Sequence, residues 1–73
     1  MNSLYDVNYR CLTEYNAYKT EIEFILKNNI INSQKIIEQL KENFIDEINY
    51  ITNNFGTITD KNVLLKIKKL KEY

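Results

Sequence analysis

The sequence predicts an all-α fold: an antiparallel helical hairpin plus a short third helix, making a small three-helix bundle. Three observations point to it. Apolar residues recur at helical rather than strand spacing. The chain has no proline and a single glycine, Gly56. Its turn-forming stretches, Asn28–Ser33 and Gly56–Asp60, divide it into three segments, each with one apolar face.

The first segment opens on Ser3-Leu4-Tyr5-Asp6, a serine followed three residues later by an acid, which reads as a capping box in its Asp form. Leu4, Val7, Cys11, Tyr15, Tyr18, Ile22 and Ile25 then step by 3, 4, 4, 3, 4 and 3, predicting a helix over about 3–27. Asp6 with Arg10 and Glu23 with Lys27 have the i, i+4 spacing of supporting ion pairs. Asn28 and Asn29 suit a helix end, Asn32 or Ser33 can cap the next helix, and Ile30 and Ile31 should pack under the turn. So short a link makes the two helices antiparallel neighbours. One helix continuous through residue 54 is the competing reading.

The cleanest periodicity lies in the second segment, about 33–54. Ile37, Leu40, Phe44, Ile48, Ile51 and Phe55 step by 3, 4, 4, 3 and 4 along one face. Glu38, Glu42, Asp46 and Asn49 form a separate polar stripe. Gly56 ends this helix because it tolerates positive φ. Thr59, or Thr57 boxed with Asp60, caps a third helix over about 60–71 with Val63, Ile67 and Leu70 inside. Gly56-Thr57-Ile58-Thr59-Asp60, followed by Val63, Lys66 and Leu70, resembles the turn of SHOCT-type short helical hairpins. The resemblance covers this last stretch, implies a helix–turn–helix there, and carries no function with it.

With 73 residues the chain forms one domain, 1–73, with a thin core that a second subunit would support. Homodimerisation is therefore expected. The usual staples are missing, since Cys11 is the only cysteine and histidine is absent. No cofactor or metal site is expected. Ten basic and ten acidic side chains cancel, unlike the basic excess of a dedicated nucleic-acid binder. No apolar run is long enough to span a membrane, and the first ten residues lack a secretory-signal pattern. A cytoplasmic location is expected. Asn, Ile, Lys and Tyr make up about half the residues, pointing to an AT-rich coding source such as a low-GC bacterium, its phages or its plasmids.

Without histidine the commonest general base is missing, and Cys11, on an apolar face, reads as a structural thiol. No enzyme is expected. That leaves surfaces. Tyr5, Tyr9 and Leu12 widen the apolar arc of the first helix and are expected to meet a partner or the same helices of a second copy. The stripe Glu38, Glu42 and Asp46 is a candidate contact for a basic groove, or for the chain's own lysines. Lys61, Lys66, Lys68, Lys69 and Lys71 against Asp60 and Glu72 leave a side-chain charge of +3 on the last segment. Together with Arg10, Lys61, Lys66, Lys68 and Lys69 are the candidate contacts of an alternative nucleic-acid-binding regulator. The expected function is a non-enzymatic protein-interaction module: an inhibitor, adaptor or assembly factor, with another protein as partner.

Overall fold

The computed structural model describes residues 6–73. Within them the chain forms three helices, α1 (Val7–Lys27), α2 (Ser33–Phe55) and α3 (Lys61–Lys71), and no strand. The first helix starts later than the capping-box pattern predicts. Asp6 is extended, at φ −100 and ψ 105, and its carboxylate accepts the N–H of Tyr9 at 3.2 Å. It is therefore the N-cap itself and not the third residue of a helix begun at Ser3. Ser3, Leu4 and Tyr5 lie outside the described residues.

The link after α1 is a true break. Asn29 and Asn32 take positive φ, 49 and 63, a conformation asparagine tolerates better than most side chains. Asn28 closes α1 by donating both its backbone and its side-chain N–H to the carbonyl of Phe24, at 3.1 and 2.7 Å. Asn32 stands at the N-cap of α2 but, left-handed, makes no side-chain cap bond. Its carbonyl instead accepts the N–H of Ile36 at 3.0 Å. The chain is a hairpin, and the continuous-helix reading fails. Ile30 is half-buried beneath the turn, whereas Ile31 points to solvent at 84% exposure, contrary to expectation.

The buried face of α1 is Val7, Cys11, Tyr15, Ile22 and Ile25; that of α2 is Ile37, Phe44, Ile48 and Ile51. Tyr18 and Leu40 are half-buried beside them, and the Tyr18 and Phe44 rings meet at 5.4 Å between centroids. Phe44 has no exposed surface. Burying each such side chain stabilises by roughly 1.5–3 kcal/mol, which makes this seam the main source of stability. Phe55, expected in the core, is 48% exposed at the last turn of α2 and meets Tyr50 edge-on at 6.4 Å.

Gly56 ends α2 at φ 128 and ψ 176, a region essentially reserved for glycine. Ile58 then drops into the core, and Asp60 caps α3 by accepting the N–H groups of Asn62 and Val63 at 2.8 and 3.3 Å. Thr59, the predicted cap, is engaged elsewhere. Asn8, near the start of α1, accepts the N–H groups of both Thr59 and Asp60 at 3.0 Å through its Oδ1. Its Nδ2 donates to the Thr59 hydroxyl, also at 3.0 Å. One amide thus holds the α2–α3 link against α1. Val63, Ile67 and Leu70 bury the inner face of α3, as the spacing predicts. At 1.5 Å per residue, α3 covers about half the length of the hairpin it lies on.

Replacing Asn8 by Ala leaves two backbone donors without their protein acceptor and should cost about 1–2 kcal/mol in urea unfolding. Gly56→Ala should cost about 1–3 kcal/mol through backbone conformation alone. The added Cβ would make only an ordinary contact, 3.8 Å from Val7 Cγ2. Unfolding midpoints equal to wild type would contradict both assignments.

Candidate interaction surface

The acidic stripe forms as predicted on the outside of α2. Glu38, Glu42 and Asp46 are all exposed. Glu38 is held by Lys41 at 3.1 Å and by the side chain of Gln34 at 3.4 Å. Neither Glu42 nor Asp46 has a cationic side chain within 4 Å among the described residues. Nor do the lysines of α3 reach them.

Two of the alternative nucleic-acid contacts have other engagements. Arg10 pairs with Glu14 at 3.4 Å, because the Asp6 carboxylate it was expected to meet caps α1 instead. Lys66 Nζ lies 5.9 Å from the centre of the Tyr15 ring, with Lys19 at the same distance. The Lys66–Tyr15 contact links the α1-facing flank of α3 to α1, while Lys19 and Tyr15 both belong to α1. Glu23 turns to Lys19 at 3.9 Å and accepts the Tyr73 hydroxyl at 3.4 Å, so the expected Glu23–Lys27 pair does not form. Lys61, Lys68, Lys69 and Lys71 have no carboxylate within 4 Å among the described residues.

The opposite flank of α3 carries a feature the sequence reading largely missed. Lys61, Leu64, Leu65 and Lys68 recur at i, i+3, i+4 and i+7, so they share one face. They line an open, apolar depression of about 350 Å³. Leu64 and Leu65 are 47% and 56% exposed. The spacing was visible, but a leucine pair between lysines on a basic helix is easily read as a solubilising surface.

The tyrosine surface on α1 is narrower than predicted. Tyr9 is exposed, but Leu12 is half-buried against the core, because α3 docks on that side through Asn8. Tyr5 lies outside the described residues.

Cys11 has no exposed surface, and burial, reinforced by the Glu14 carboxylate, pushes its thiol pKa up. A raised pKa keeps the thiol protonated and poorly nucleophilic. Among the described residues no group of three acidic or cysteine side chains converges on a metal position. No helix in them is long and apolar enough to cross a membrane.

The Cys11 thiol should resist alkylation at neutral pH until the chain unfolds; rapid labelling of folded protein would contradict its burial. Burial also raises the Tyr18 and Tyr73 phenols, helped at Tyr18 first by Glu47 and at Tyr73 first by Glu23. All three shifts are upward, so the folded chain holds these protons more tightly than the unfolded chain. Stability should be full below the range where free thiols and phenols ionise, and fall as pH rises from about 8.5 through 10 and beyond. An unfolding midpoint that is flat or rising across that range would contradict the assignment. Comparisons with protein-family models, with curated proteins and with solved structures find no match to this chain.

Proposed function

We propose that this chain is a small non-enzymatic protein-interaction module that acts by occupying the surface of another protein. The observation that carries the reading is the outer flank of α2 and α3. There Leu64 and Leu65 stand exposed between Lys61 and Lys68, and Glu42 and Asp46 lack cationic partners within 4 Å. Apolar side chains framed by charges that the chain itself leaves unused are what a protein partner can cover with a gain on both counts. Tyr9 and Tyr50, both exposed, add aromatic surface of the kind interfaces enrich.

The chemistry left to the chain narrows the mode of action. It has no histidine and a buried thiol, and among the described residues no cluster of metal-ligating side chains, so its effect on a partner is steric and electrostatic. Inhibitor, adaptor and assembly factor are the three forms of that effect. The AT-biased composition fits a phage or plasmid source, for which inhibition of a host protein is the leading form. A cytoplasmic setting suits a chain with one reduced cysteine.

The nucleic-acid reading is weaker, because Arg10 and Lys66 are engaged with Glu14 and Tyr15. The remaining α3 lysines do not make a single stripe along the helix.

The test is capture of a defined protein by the immobilised chain from nuclease-treated host extract, followed by titration of the purified partner. Leu65→Asp, at an exposed site, should weaken that binding about tenfold or more while leaving helical circular dichroism unchanged. Capture that vanishes with nuclease, or binding to polynucleotide that weakens steeply with salt, would replace this reading with the nucleic-acid one.

A further inference from the structure

We infer that the α2–α3 flank is self-complementary and closes on a second copy of this chain, each α3 lying along the acidic stripe of the other's α2. The inference rests on reading that flank as an interaction surface, and it names the occupant.

Charge distribution is the first argument. The chain is neutral as a whole, yet α3 holds five lysines and no acid. The acids Glu38, Glu42, Asp46 and Glu47 gather on α2, with only Lys35 and Lys41 to offset them. Inside one chain these opposite charges do not meet, since Lys41 takes Glu38 and no α3 lysine has a carboxylate within 4 Å among the described residues. A second copy supplies each set with its complement.

Placement is the second argument. Lys66 lies over Tyr15 of α1, so Leu64 and Lys68, which project from nearly the opposite side of α3, face away from α1. Lys41 meets the main-chain oxygen of Tyr73 at 3.4 Å, which sets that edge of α2 against the end of α3. Glu38 and Glu42 project from α2 beyond that edge, each within about a third of a turn of Lys41 and farther from the core. Glu38, Glu42 and the outward lysines of α3 therefore border the same side of the protomer, as a two-fold interface requires, with Asp46 next along the stripe.

Length is the third argument. Lys61 and Lys68 are about 10.5 Å apart along α3, and Glu38 and Asp46 about 12 Å apart along α2. The lysines can each reach a carboxylate while Leu64 and Leu65 settle between them over the half-buried Ile45 and the methylenes of Glu42. An interface one short helix long is at the small end of specific association, so the dimer is weak and concentration-dependent.

Light scattering of the full chain over a concentration series reaching about 1 mM tests this at the weak end of specific association. The expected result is a monomer–dimer equilibrium whose dimer fraction falls as salt rises from about 50 to about 500 mM. Lys61→Glu with Lys68→Glu, and separately Glu42→Lys with Asp46→Lys, should each give monomers of unchanged helicity. Mixed together, these two variants should form a one-to-one dimer, because each restores the other's missing complement. A wild type that stays monomeric throughout overturns the proposal, as do reversals that leave its dimer intact or growth beyond two chains. Should a reversed variant lose helicity, the salt dependence of the wild-type dimer decides. A monomeric wild type that still captures another protein through Leu65 separates failure here from failure of the interaction-module reading.

Discussion

The side-chain amide of Asn8 fixes where the third helix lies. Its oxygen takes two backbone donors of the α2–α3 link and its nitrogen holds the Thr59 hydroxyl, joining positions 51 and 52 residues apart in sequence. Without that tie, α3 would rest on the inner face of Val63, Ile67 and Leu70 and on the Lys66–Tyr15 contact. An eleven-residue helix is too short to be stable alone in water, so its docking is also what makes it a helix. Gly56 and Asp60 cooperate from either side: one lets α2 stop in a conformation other residues avoid, the other starts α3 cleanly.

That docking decides what the molecule can offer a partner. It half-buries Leu12 on α1 and sets Lys66, itself still exposed, over the Tyr15 ring. It leaves Leu64, Leu65, Lys61 and Lys68 facing outward on the flank bordered by the acidic stripe of α2. A chain with zero net charge can therefore have strongly signed surfaces, provided its fold keeps unlike charges apart. The fold thus acts as a spacer: its core supplies the stability while, among the described residues, the lysines of α3 and the carboxylates of Glu42 and Asp46 stay more than 4 Å apart.

Much of the architecture was legible because it rests on periodicity. Of the described positions that helical spacing selects, Val7, Cys11, Tyr15, Ile22, Ile25, Ile37, Phe44, Ile48, Ile51, Val63, Ile67 and Leu70 are buried, Tyr18 and Leu40 are half-buried, and Phe55 is exposed. Helix ends were less legible. Several residues within a turn of each boundary can cap, and spacing alone does not single out Asp6 for α1 or Asp60 for α3. Phe55 fits the periodic stripe of α2, but at the last turn it is half exposed and meets the Tyr50 ring edge-on. Asn8 was invisible, since its partners are remote in sequence and an asparagine in a first turn suggests nothing beyond local structure. The acidic stripe and the lysines were legible as residues, but which charges find partners depends on interhelical placement, which periodicity does not give.

Amide hydrogen exchange at Thr59 and Asp60 tests the central claim, that the Asn8 amide sets the position of α3, most directly. Residues leading into a helix ordinarily exchange fast, because their N–H groups have no carbonyl within the helix to bond. The account predicts that both amides are protected well above that level, approaching the hydrogen-bonded interior of α1. Exchange as fast as at the neighbouring exposed Thr57 would contradict it.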